Sequence, residues 1–175
     1  MPSPNETKNN GKIPQLIPSL RLLTSPACDA AKRVLFRQLV SAKTCAVEGR
    51  LIDASNTTLY GQVSLAAVEL PCVYKPVAGE RPLWDFPDGT LAGREVSAYL
   101  VSEATGWDLV PPTILRDGPF GTGMCQLWVD VDETVDLQDL ARSDHPDLRR
   151  MAVFDAVVNN ADRKGGHLLP APDGH

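Results

Sequence analysis

The sequence predicts an α+β fold: an antiparallel sheet with a helix packed on it, followed by the opening of a second, helical unit. Three observations predict it. Between residues 46 and 76, apolar residues recur with partial period two in runs broken by turn formers. From residue 91 the pattern becomes helical, and Gly106 stands where such a helix would stop. Residues 148–158 are then apolar nearly all round and end at Asn159-Asn160, ahead of a polar loop, Ala161-Asp162-Arg163-Lys164-Gly165-Gly166-His167. The pattern gives a mobile tail over 1–26.

Composition narrows the function classes. A chain of 175 residues with 43% apolar content supports one ordinary domain with a sizeable core. A formal charge of −5 disfavours nucleic acid or an anionic membrane surface as the main partner. No run reaches the roughly 18 uninterrupted apolar residues of a membrane span. Residues 1–11 lack the apolar core of a signal peptide. Cys28, Cys45, Cys72 and Cys125 are widely spaced with no Cys-x-x-Cys pair, so the expectation is free thiols in a reducing cytoplasm.

The tail carries prolines at 14 and 18, which oppose a stable helix there. Over 29–42, Val34, Leu35, Gln38 and Leu39 fall on one helical face, which predicts a short helix against the sheet. Strands are expected over 47–52 and 58–65, joined by the turn formers Asp53-Ala54-Ser55-Asn56-Thr57. Pro71-Cys72-Val73-Tyr74-Lys75-Pro76 is the next strand, and Lys75 closes its apolar run. A loop over 77–90, with Trp84 and Phe86 as anchors, leads into a helix that Asp88 or Thr90 would cap. Val96, Tyr99, Leu100 and Ala104 make its apolar stripe, and Glu95 borders that stripe.

Strands over 113–116 and 123–129 flank a turn at Asp117-Gly118-Pro119. The acidic stretch Asp130, Asp132, Glu133, Asp136 and Asp139 lacks the order of a calcium loop and reads as a solvated connection. Pro146 suits the first position of a helix, where its missing N–H costs nothing. Over 148–158 the all-round apolar pattern predicts burial on most sides. Asp155, among these residues, then needs a partner, for which a backbone N–H of the following loop is the natural choice.

The end of that helix carries a family resemblance. Asn160-Ala161-Asp162-Arg163 resembles the Asn-x-Asp-Arg loop of phosphatidylinositol 3-/4-kinase-like and HipA-like kinases. The longer run from Val153 to His167 is similar to an actinobacterial branch of that superfamily. The resemblance implies a protein-kinase-like small lobe, a sheet-and-helix unit over 27–130, followed by the incomplete start of the helical large lobe over 131–175. It also implies ATP and Mg²⁺ as cofactors. Asp162 would orient the attacking hydroxyl, and Arg163 would steady Asp162 or the transferred phosphate. Lys75 would meet the phosphates, Glu95 would pair with Lys75, and Ser55 and Asn56 would cover them. Gln126, Leu127 and Trp128 would form the hinge that binds adenine through backbone groups. His167 and Asn160 would approach the metal. His167 departs from the family pattern, which has Asn at that position.

Each part also has a plain reading. Residues 53–57 make an ordinary hairpin turn, a lone Lys at a strand end is commonly solvated, and Glu95 has Arg94 beside it. The order of the parts along the chain is what joins them. The family's second metal-binding Asp lies on a return strand after the loop. The chain stops at His175 with Asp173 still in the turn, so the expectation is an inactive N-terminal portion of a longer kinase. The phosphoacceptor is left open among protein, lipid and small molecule. A non-catalytic nucleotide-binding module or pseudokinase is the alternative, and an α+β interaction domain without nucleotide is a third. A zinc site built from His145, His167 and His175 with scattered cysteines lacks ligand spacing.

Overall fold

In the computed structural model the described residues are Val34, Phe36 and residues 44–51, 56–65 and 68–171. They form an α+β architecture around a five-stranded antiparallel sheet with strand order β1-β2-β3-β5-β4. Its strands are β1 (Thr44–Leu51), β2 (Thr58–Leu65), β3 (Val68–Pro76), β4 (Thr113–Gly118) and β5 (Gly121–Leu127). The helices are α1 (Leu91–Thr105), α2 (Leu137–Arg142) and α3 (Pro146–Val158). The tail over 1–26, most of the helix expected over 29–42, and Ser55 lie outside the described residues.

β3 is central, and its alternation sets the two faces. Leu70, Cys72 and Tyr74 are buried on one face, while Val73 and Lys75 point to the other and are half-buried. Across the ladders the first face gathers Val63, Cys125 and Leu127, and Phe36 closes it from outside the sheet. Phe36 is fully buried whereas Val34 is 54% exposed, so the expected face through Val34 is corrected to one through Phe36. α1 packs on β4 and β5. Lys75 and Met124 are register partners, so buried Met124 shares the face of Lys75.

β3 begins at Val68, three residues before the expected start. Pro71 is tolerated there for a physical reason. Its carbonyl accepts from the Trp128 N–H at 3.0 Å, which places its peptide edge beyond the end of β5. There β5 has ended at Leu127, so the missing N–H forfeits only the second bond of the terminal Pro71–Trp128 pair. β1 and β2 approach so closely that a Cβ on Gly61 would overlap the Ala46 carbonyl. The register shifts between Val47 and Gly49, leaving Glu48 as the extra residue of a bulge.

α1 ends at Gly106, whose φ of 66° is the left-handed cap expected from sequence. Its other end differs. Neither Asp88 nor Thr90 caps it; the Thr90 hydroxyl donates instead to Pro87 O at 2.6 Å. The stripe shifts as well, since Leu100 is 55% exposed and Ala104 is exposed, while Ala92, Tyr99 and Ser102 are buried. Ser102 turns inward because its Oγ accepts the Val110 N–H.

The acidic stretch is partly structural. Asp136 accepts the Gln138 and Asp139 N–H groups and starts α2. α3 starts with Pro146 in its first turn as expected, and His145 caps it through Nδ1. The expected all-round burial of α3 is corrected. Phe154 is 2% exposed, but Val153 and Val157 are 53% and 67% exposed, so α3 is held by one face only. Among the described residues no helix is long and apolar enough to cross a membrane.

Candidate functional site

The Lys75 face of the sheet, α1 and α3 enclose a cleft of about 980 Å³. Its sheet side is built by alternation: because Tyr74 enters the core, Lys75 must face the opposite way. There the Lys75 Nζ donates to both carboxylate oxygens of Glu95, each at 2.9 Å. Glu95 reaches it from the inner face of α1, one turn beyond buried Ala92. The side chains of this pair remain 29% and 33% exposed, so a ligand in the cleft can reach the ammonium. Beside the pair, the Arg94 guanidinium lies 4.2 Å from the centre of the Phe86 ring, and both residues line the cleft.

The far wall is the end of α3. Asn159 takes a left-handed conformation at φ 55°, which short polar Asn tolerates, and it turns the chain out of the helix. Asp155 then organises the loop that follows. Its Oδ1 accepts from Asn160 Nδ2 at 2.9 Å and from Arg163 Nη2 at 2.6 Å, and its Oδ2 accepts from Arg163 Nε at 3.0 Å. The Arg163 hydrogen bond holds the Asp155 carboxyl below the usual carboxylate range, against the opposing effect of burial and with help from Asn160. The partner of Asp155 is therefore a pair of side chains, where sequence reasoning looked for a backbone N–H. Sequence gave no cue that Arg163 would reach back across the helix end.

The sequence-predicted residues are distributed unevenly around this cleft. Lys75, Glu95, Gln126, Leu127, Trp128, Asn160, Arg163 and His167 all line it. Asp162 does not; its side chain is 81% exposed and pairs with Lys164 at 3.1 Å. Arg163 binds Asp155 through Nε and Nη2, where the expectation had it steadying Asp162 or the transferred phosphate. At the strand end, the Leu127 N–H donates to Pro112 O at 2.9 Å and the Trp128 N–H to Pro71 O. Both amides are thus spent within the sheet, and a ligand edge would meet Val129 and Asp130, which also line the cleft.

Asn56 stands outside the cleft lining. Its Oδ1 accepts the Arg81 N–H at 2.9 Å, so the β1–β2 turn is tied to the segment after β3. Sequence reasoning missed Glu80 altogether. Its carboxylate accepts the Leu91 N–H at 3.1 Å and the Ala92 N–H at 2.7 Å, capping α1 from a distant loop position. Local cap signatures could not reveal it, because the cap lies eleven residues from Leu91.

The cleft is lined by the Lys75 ammonium and Arg94, by the carboxylates of Glu95, Asp130 and Asp147, and by the apolar surfaces of Trp107, Trp128 and Leu109, a mixed lining that can take a charged group joined to a flat apolar one. For a metal the fit is poorer. Among the described residues no three His, Cys, Asp or Glu side chains gather as a metal site. His167 and the Asn160 carbonyl oxygen supply two neutral donors at most, so a Mg²⁺ here would depend on ligand phosphates and water.

No family model matches the chain. The chain is similar to Protein Rv2133c of Mycobacterium tuberculosis (strain ATCC 25618 / H37Rv), with 51% identity over 163 residues. The match takes in 73% of this chain and 59% of the relative, so the chain spans less than two thirds of the length of the curated relative it matches.

Proposed function

We propose that the cleft binds a nucleoside triphosphate and that the chain carries the nucleotide-binding part of a kinase-like, ATP-dependent phosphotransferase. On this reading the sheet and α1 are a kinase-like small lobe, and α3 with its following loop opens the second lobe. The observation that carries it is the Lys75–Glu95 pair, two 2.9 Å bonds, facing a loop that presents Asn160, Arg163 and His167 across one cleft. A fixed ammonium neutralises phosphate charge without reorganising, and Glu95 keeps it in place. Adenine would sit toward Trp128 and Val129. Magnesium carried in with the phosphates would supply charge neutralisation there, and Asn160 and His167 line the cleft on the side of the loop after α3. The chemistry is transfer of a phosphoryl group to a protein, lipid or small-molecule hydroxyl in the whole polypeptide.

Trp107 and Trp128 line the cleft and provide the readout. Titrating the chain with a non-hydrolysable ATP analogue and Mg²⁺ should change tryptophan fluorescence saturably. Lys75→Met should weaken binding roughly tenfold or more, the scale of a lost charge-assisted hydrogen bond. A chain that gives no saturable signal and no thermal shift with the analogue would refute the reading.

A second reading, a non-catalytic nucleotide-binding module, is favoured by one observation. Asp162 is 81% exposed and paired with Lys164 outside the cleft lining. In a longer protein that carries this chain and transfers phosphate, Asp162→Asn should reduce turnover by several orders of magnitude if Asp162 is the base. An unchanged rate would move the assignment to another base, and nucleotide binding without any transfer would select the module.

A further inference from the structure

We propose that Glu80 is a positioning residue that sets the geometry of the Lys75–Glu95 pair by locking the start of α1 to the segment that follows β3. Its significance for nucleotide binding rests on the reading above, whereas its mechanical role stands on the contacts alone.

The contacts form a closed ring. Lys75 lies at the end of β3, and the chain then tightens into the 3-10 turn Val77–Gly79, with the Glu80 N–H donating to Val77 O at 3.0 Å. Glu80 is thereby fixed relative to Lys75 by a short, hydrogen-bonded piece of backbone. Its two carboxylate oxygens then accept the first two N–H groups of α1, at 3.1 and 2.7 Å. One helical turn beyond those amides, Glu95 returns to Lys75 and closes the ring. Two carboxylates on opposite sides of this ring therefore fix where α1 stands on the sheet.

Among the described residues no other side chain is seen to cap the start of α1. The Thr90 side chain makes no cap hydrogen bond, and the connection over 81–90 is mostly exposed, with Trp84 at 97%. Without the Glu80 contact, α1 would hang from that loop and from its packing on β4 and β5. A carboxylate on the first-turn amides is also well placed electrostatically, because unpaired N–H groups give a helix N-terminus partial positive charge.

The same segment reaches the β1–β2 turn. The Thr57 N–H donates to Gly79 O at 3.1 Å, and the Arg81 N–H donates to Asn56 Oδ1 at 2.9 Å. Gly79 also fits flush against Thr57, where a Cβ would meet the Thr57 Cβ at 2.5 Å. Glu80 therefore sits between the two amide and carbonyl contacts that hold the turn. A shift of α1 transmitted through Glu80 reaches both Lys75 and the Asn56–Thr57 entry to β2.

The test uses the 175-residue chain with Glu80→Gln and Glu80→Ala. Gln keeps one acceptor oxygen and guards against loss of folding in the Ala variant. Amide exchange at Leu91 and Ala92 should accelerate about tenfold, as for loss of a helix cap, while Leu70 and Cys125 in the sheet core keep their protection. Exchange at Thr57 should rise with them. The decisive readout is the coupling between Lys75→Met and Glu95→Gln, measured by urea unfolding in the wild-type and Glu80→Gln backgrounds. It should fall by at least half in the variant, a change that a cap serving stability alone would not produce.

Unchanged coupling, or exchange at Ala92 and Thr57 within twofold of wild type, would overturn the proposal. Titration with the ATP analogue separates the two readings. Absence of binding by the unaltered chain rejects the nucleotide assignment, while the coupling measurement, which needs no ligand, decides the role of Glu80.

Discussion

Removing the Lys75–Glu95 pair gives the most direct physical test of the cleft. At the observed 2.9 Å, two unit charges attract by about 1.4 kcal/mol in water and about 5.7 kcal/mol at an effective dielectric of 20. The side chains are 29% and 33% exposed, so screening and the ordering of a flexible lysine remove much of that attraction. The bidentate contact lifts the pair to the upper end of partly exposed ion pairs, which gives an expected coupling of about 1 kcal/mol. Urea unfolding of wild type, Lys75→Met, Glu95→Gln and the double variant isolates this quantity, provided all four share one denaturant slope. Raising the salt to about 1 M, where charges are screened within about 3 Å, should reduce the coupling. A coupling below about 0.3 kcal/mol would show that the two residues touch without holding each other, and the electrostatic argument for the cleft would fall with it.

Two further perturbations probe the far wall. The Asp155 carboxyl lies below its ordinary range because Arg163 binds it, so its contribution is fully present above the unfolded carboxylate value of about 3.9 and is lost as pH falls through the lower folded value. Protection of the Asn160 amide, whose N–H bonds to Asp155 O, should therefore persist through the ordinary carboxylate range and be lost only below it, and an Asp155 that titrates at or above the ordinary value by NMR would refute the assignment. Phe154→Ala should destabilise the chain by about 3 kcal/mol, since Phe154 is the buried anchor of α3. A loss under about 1 kcal/mol in urea unfolding would show that α3 is not held to the sheet unit by this ring.

Local chemistry made much of the fold legible in the sequence. Strand β2 occupies the residues its period-two pattern predicts, Gly106 ends α1, and Pro146 stands in the first turn of α3. Each follows from φ/ψ preferences or side-chain alternation, which depend on neighbours in the chain. The order of Lys75 and Glu95 along the chain, together with the family resemblance, predicts their pairing, and that pair is present. What composition could not reveal is which apolar side chains find a surface to cover. Val153 and Val157 have the same character as Phe154, yet only Phe154 meets a packed neighbour, because α3 presents a single face to the rest of the described chain.

By itself the sequence determined the mixed class of fold and the order along the chain of the five strands, α1 and α3, whereas α2 lies in a stretch that reads as a solvated connection. Only the tertiary structure decided how the polar contacts are spent: Arg163 on Asp155, the Leu127 and Trp128 amides within the sheet, Asn56 on Arg81, and Glu80 on the start of α1. The physical reason is range. Backbone propensity acts over a few residues, whereas a hydrogen-bonding group takes whichever partner folding brings within about 3 Å, however distant in the chain.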